Sequence, residues 1–240
     1  MTLKIPFKTP SPKPVESVPW LQAIGIVPLI ISLIIIVLLA TVGPLFASNQ
    51  EIALDVALLE KLHQFIPGFV GQILRLIYMI TGVHVTLFFV LGSLGLLLWK
   101  RYWEEAKFLA FATLGILLII DRVLKPLFNR IRPGSFSSDL SSLVDVDGKS
   151  FPSGHAAGSV VFYFYMAFLL ATHFPQHRFY IYLGATGWVG LIGLSSMYCR
   201  VHWGSDIFAG YAVGYIWLTL SLALLKRADP QTYFAKTTQL

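Results

Sequence analysis

Residues 18–46, VPWLQAIGIVPLIISLIIIVLLATVGPLF, form an apolar run without a single charged side chain, longer than the roughly 20 residues a helix needs to cross a bilayer. No other feature narrows the fold so far, because a segment this long and this apolar is at home in lipid. The rest of the chain agrees: 56% of its 240 residues are hydrophobic and only 12% are charged, about half the charged share of an average soluble domain. The run lacks an A-x-A cleavage pattern and reads as an uncleaved first helix. Residues 1–17 before it are basic and rich in proline, without periodicity, and read as a cytoplasmic tail.

Further spans are expected near 72–99, 106–124, 153–174, 179–198 and 206–225. The expected fold is therefore all-α, a bundle of six transmembrane helices in one membrane domain over 18–227, followed by a short cytoplasmic tail, 228–240. The stretch SNQEIALDVALLEKLHQFIPG is amphipathic and mixed in charge, and is expected as a short interfacial helix along the outer surface. With both termini cytoplasmic, Lys100, Arg101, Lys107, Arg178, Lys226 and Arg227 fall on the inner side, as the positive-inside tendency asks. Lys125, Arg130, Arg132, Lys149 and Arg200 are then on the outer side and need their own explanation.

The net charge of +6 does not point to nucleic acid, because the cations sit at the ends of apolar runs rather than in one stripe. A single cysteine, Cys199, excludes an intrachain disulfide and a cysteine metal cage. Gly210 and Gly214 make a GxxxG pattern, read here as close packing inside the bundle rather than a dimer face; the residues leave the oligomeric state open.

Three polar clusters emerge at one face in this topology: KPLFNRIRP with Lys125, Arg130 and Arg132; FPSGH, ending in His155; and SSMYCRVHWGSD, with Arg200, His202 and Asp206. Arg132 is suited to a bidentate grip on phosphate and Lys125 supplies a second fixed cation. In PSGH, Ser153 is a natural N-cap, Gly154 lets the backbone approach a ligand, and a helix starting there aims its N–H groups at an anion. Asp206, four residues after His202, can fix the tautomer of that ring and leave its other nitrogen to attack, while His155 protonates a leaving oxygen. Arg122, Arg130 and Lys149 read as solvated or headgroup-facing cations, Trp203 as an aromatic-belt residue, and Asp121 as an ion-pair partner of Lys125 or Arg122.

The pattern K-x6-R-P, P-S-G-H and H-x3-D, here Lys125 to Pro133, Pro152 to His155 and His202 to Asp206, resembles the type-2 phosphatidic acid phosphatase superfamily, related to vanadium haloperoxidases. The resemblance covers residues 72–225. It implies that His202 is the nucleophile that forms a phosphohistidine, that Asp206 orients it, and that His155 is the general acid. It also implies that Lys125, Arg132, Ser153 and the Gly154 backbone cradle the phosphate, with no metal or other cofactor. That family usually has an arginine six residues before the nucleophilic histidine, where this chain has Ser196. Arg200 is expected to stand in for it, provided the fifth helix runs on to residue 200 and keeps the two positions one turn apart.

The expected substrate is a phosphate monoester or diphosphate of a lipid, such as phosphatidate, phosphatidylglycerophosphate or undecaprenyl diphosphate, with membrane lipids as the other partners. The site would lie on the periplasmic or extracellular side of a bacterial cytoplasmic membrane. The alternatives are a phosphotransferase that passes the phosphate to a lipid or sugar, and a non-catalytic lipid-binding or transport scaffold.

Overall fold

The structure, a computed structural model, describes residues 18–47, 53–136, 142–144 and 146–234; the expected N-terminal tail, 1–17, lies outside the described residues. The described residues are mostly helical and contain no strand. The first apolar run is not one helix but two, α1 (Trp20–Ile24) and α2 (Ile26–Ala47), divided at Gly25, whose φ of 84° and ψ of 147° suit a residue without a side chain. The amphipathic stretch forms α3 (Ala53–Phe65), as its pattern suggests.

The expected span at 72–99 is likewise broken. It begins earlier, as α4 (Gly68–Ile80), and continues as α5 (Val83–Trp99) after a bend of 54°. At the break the Thr81 hydroxyl donates to the Ile77 carbonyl at 2.7 Å, a local bond that competes with the helix ladder. Next, α6 (Trp103–Leu118) runs into a π-helical turn at Ile119–Leu124 and a single turn α7 (Lys125–Phe128). Pro126 explains the irregularity, since it has no N–H to give the preceding turn. After α8 (Pro133–Phe136), the long helices α9 (Gly154–His173), α10 (Arg178–Tyr198) and α11 (Gly204–Ala228) complete the bundle.

Among the described residues, four helices are long and apolar enough to cross a membrane, and α4 with α5 make a fifth if taken as one broken span. The sixth expected span falls on α6, whose 16 residues come short of the roughly 20 required. The inner core lies where α6, α9, α10 and α11 meet, around Leu109, Ala112, Val161, Tyr165, Val189 and Leu225. Gly210 and Gly214 are used inside the bundle: a Cβ on Gly210 would stand 2.5 Å from the Ser153 carbonyl oxygen, and one on Gly214 would stand 2.7 Å from that of Ala157. By contrast α2 is apolar and exposed along most of its length, the face a helix turns to lipid.

The C-terminal segment is not wholly a tail. Pro230–Phe234 form α12, which docks back on the bundle: the Tyr233 hydroxyl donates to Glu105 Oε1 at 3.0 Å, and its ring stacks on Phe168.

Candidate active site

The three sequence clusters converge at one end of the bundle. Backbone bonds tie them together: Ser153 N donates to the Asp206 carbonyl at 2.9 Å, and Ser150 N to the Arg130 carbonyl at 2.8 Å. Lys125 is brought to the same place, with its Nζ 3.9 Å from where a Cβ of Gly154 would stand. The expected pair is present, Lys125 Nζ to Asp121 Oδ1 at 2.7 Å across one helical turn.

His202 sits in the short loop between α10 and α11 and is 3% exposed. Its two nitrogens have different neighbours. Arg132 Nη1 lies 3.4 Å from Nε2, and a guanidinium only donates, so Nε2 must hold the lone pair. The proton of the neutral ring is then on Nδ1, which faces Asp206 Oδ2 and Ser150 Oγ, each at 3.5 Å. Those distances are long for formed bonds, as catalytic contacts often are before substrate arrives. Burial holds the His202 pKa below its ordinary value, against the opposing pull of the Asp206 carboxylate, so the ring is neutral at pH 7. Burial also lowers the Arg132 pKa, which still leaves a cation at any working pH.

Asp206 is fully buried and both of its carboxylate oxygens accept hydrogen bonds. Oδ1 accepts from Arg130 Nη1 at 2.7 Å; Oδ2 accepts from Trp203 N at 2.8 Å and from the Ser150 hydroxyl. The bond to Trp203 N caps α11 from its third position, so one carboxylate both starts the helix and faces His202.

His155 opens α9, entered through Ser153, whose Oγ accepts from Ala156 N at 3.3 Å as the expected cap. Accepting that bond leaves the Ser153 O–H donor uncommitted by it. The His155 ring stacks on Tyr78 of α4, with centroids 5.0 Å apart, and lies within electrostatic range of His202, Arg132 and Lys125. Its Nε2 is buried and has no hydrogen-bond partner among the described residues. Arg132 is fixed by its bonds to the Gly148 carbonyl (Nε, 3.1 Å) and the Val201 carbonyl (Nη1, 2.7 Å). It also lines a cleft of about 400 Å³ with Ser135, Ser142 and Leu143.

Three expectations are corrected. Arg130 is not a solvated cation: it is 3% exposed and divided between Asp206 and Asp55, with Nη2 2.8 Å from Asp55 Oδ2. Trp203 is no belt residue either; it is 3% exposed, packs on Leu59, and donates from Nε1 to the Ile131 carbonyl at 3.1 Å. Finally, α10 stops at Tyr198, and Arg200 leaves it with a left-handed φ of 56°. Positions 196 and 200 therefore do not share a helix face, and the premise for Arg200 replacing the family arginine does not hold. Ser196 itself is buried, its hydroxyl donating to the Ile192 carbonyl at 3.0 Å.

Sequence reasoning missed Asp55, Ser150, Ser205 and Tyr78. Asp55 and Arg130 stand 75 positions apart, and spacing carries no signal for a pair of that kind.

The PAP2 superfamily description matches residues 105–229. Phosphatidylglycerophosphatase B of Bacillus subtilis (strain 168) is 29% identical over 128 residues, 52% of this chain and 59% of its own length. Lipid A 4'-phosphatase of Porphyromonas gingivalis is 29% identical over 161 residues, 64% of each chain. The chain thus spans about three fifths of the length of these curated relatives. Among solved structures, a transmembrane PAP2-type phosphatidylglycerolphosphate phosphatase from Bacillus subtilis superposes with a TM-score of 0.66 at 23% identity, over 81% of this chain and 93% of that one. LpxE of Aquifex aeolicus gives 0.59 at 24% identity, over 72% and 96%. At these identities the two structures speak for the fold.

Proposed function

Since the chain belongs to the PAP2 superfamily, whose description spans more than half of it, we propose that it is an integral membrane phosphatase that removes phosphate from lipid monoesters or diphosphates through a phosphohistidine on His202. The observation that carries the reading is the orientation of the His202 ring. Its lone pair faces Arg132 while its proton faces a buried carboxylate, which is how a neutral imidazole is prepared to attack phosphorus.

In the first half-reaction Nε2 bonds to phosphorus as the P–O bond to the lipid breaks, and protonated His155 gives its proton to the leaving oxygen. Water then attacks phosphorus, returning a proton to His155; the P–N bond breaks, and inorganic phosphate leaves with His202 neutral again. Asp206 offsets the positive charge that the ring gains in between, while Arg132, Lys125, the Ser153 hydroxyl and the backbone at Gly154 hold the phosphate oxygens. The unpartnered Nε2 of His155 suits a proton donor whose partner is the substrate. The relatives' names make phosphatidylglycerophosphate and lipid A phosphate natural members of a substrate panel, beside phosphatidate and undecaprenyl diphosphate. The exposed apolar helices suit a bilayer, in which such lipids are at hand; the proposal puts the site on its periplasmic or extracellular face.

The test is phosphate release from that panel by detergent-purified protein, with chelator present, beside His202→Ala. The expected result is release that the variant lowers by about 10⁴-fold or more, the scale seen when a nucleophile is removed; equal release by both proteins would sink the phosphohistidine reading.

A further inference from the structure

Asp206 is bonded to Arg130, and Arg130 is bonded to a second carboxylate that none of the three motifs contains. Asp55, on the amphipathic helix α3, accepts from Arg130 Nη2 at 2.8 Å through Oδ2, while Arg130 Nη1 reaches Asp206 Oδ1 at 2.7 Å. Asp55 is itself fixed by Ser205, whose N–H donates to Oδ1 at 2.9 Å and whose hydroxyl donates to Oδ2. Arg130 Nη1 also donates to the Ser205 hydroxyl oxygen at 2.8 Å. Asp55 and Arg130 are each 3% exposed and Asp206 is fully buried, so their charges act on one another with little screening by water.

We propose that Asp55 is a positioning residue for the phosphatase reaction: it balances the charge of Arg130, so that Asp206 keeps a full negative charge for His202. One guanidinium between two carboxylates leaves one unit of negative charge on the trio. That unit cancels the positive charge on His202 when the ring is phosphorylated. With Asp206 alone against Arg130, the pair would be neutral and the ring's charge would stand uncompensated in a buried place. Arg130 in turn fixes the direction of Oδ1, which turns Oδ2 towards Nδ1. The segment at residue 55 thus reaches a reaction 147 positions away, at residue 202, without touching substrate. The inference rests on the reading of His202 as the nucleophile.

The experiment compares Asp55→Asn, Arg130→Gln and the double variant in the full-length protein, measuring kcat/KM against pH on the panel member released fastest. Protonation of His202 removes the nucleophile, so the acid limb reports its free-enzyme ionisation. The groups facing His202 are Asp206, Ser150, Arg132, Lys125 and His155; all are unchanged in the three variants. So is the second ionisation of the substrate phosphate. Asp55→Asn takes the trio from one negative charge to none and is expected to move the limb to lower pH by about half a unit or more, with kcat down about tenfold and KM little changed. Arg130→Gln leaves two negative charges and moves the limb to higher pH. The double variant restores a single negative charge and returns the limb towards wild type.

Opposite shifts that cancel in the double variant support the assignment. Lower activity with limbs that stay in place, or move together, would mean that Asp55 and Arg130 only brace the fold. Should Arg130→Gln not fold, Asp55→Asn and the double variant decide the matter, since neither leaves two buried carboxylates facing each other. The same shifts are read without turnover from the His202 ring carbon in ¹³C-histidine-labelled protein in detergent, so a failure of the nucleophile reading, seen in His202→Ala, is separable from a failure of this one.

Discussion

At one end of the bundle Asp55, Arg130, Arg132, His202 and Asp206 are buried together and bonded to one another. At the other, Glu105 is buried among aromatic side chains, its carboxylate taking a bond from the Tyr233 hydroxyl and its carbonyl one from Tyr165. Between them the helices meet through small residues, with Gly210 and Gly214 against the backbone of α9. The Glu105 end uses neutral donors, the Tyr233 and Tyr165 hydroxyls, to tie α12 and α9 to α6. At the site end Asp55, Arg130 and Asp206 are satisfied largely by one another, so that losing one strands the others.

That contrast is broken most directly at Arg130. Arg130→Ala leaves Asp55 and Asp206 buried without their shared cation, and is expected to cost about 3–5 kcal/mol, the scale of removing one partner from a buried ion pair. A fall in the thermal midpoint of detergent-purified protein, absent or small in Asp121→Ala at the exposed Lys125 pair, is the measurement; equal falls would show that burial does not distinguish the two ion pairs.

The middle of the bundle is expected to respond less. Gly210→Ala and Gly214→Ala each place a methyl group against a carbonyl oxygen and are expected to cost about 1–3 kcal/mol. They should part in activity, because Gly210 presses on Ser153, the cap beneath His155, whereas Gly214 meets α9 one turn further from the site. Comparing kcat at matched folded fraction tests this, and equal loss would mean that the pressure on Ser153 is not felt by His155.

Least of all in its effect on activity is Tyr233→Phe. It leaves the buried Glu105 carboxyl without the Tyr233 hydroxyl, is expected to cost about 1–3 kcal/mol, and should leave kcat/KM unchanged. Loss of activity in that variant would join the two ends of the molecule in a way their separate networks do not suggest.

The amino-acid sequence by itself determined that this chain is a helical membrane protein, and it nominated the chemical groups that the candidate site brings together. Apolar run length and motif spacing are local quantities, readable without knowing what packs on what. Lys125, Arg132, Ser153, His155, His202 and Asp206 were legible for that reason, and so was the inward use of Gly210 and Gly214. Tertiary structure decided what each charge is paired with. Arg130 looks like any membrane-flanking cation until α3 is laid beside α11 and Asp55 closes on it. Arg200 looks one turn from Ser196 until α10 stops at Tyr198. The spans at 18–46 and 72–99 read as continuous until a positive φ at Gly25 and a bend of 54° after α4 divide them. A buried charge takes whichever opposite charge the packing brings within about 3 Å, and in this protein that partner lies 75 residues away.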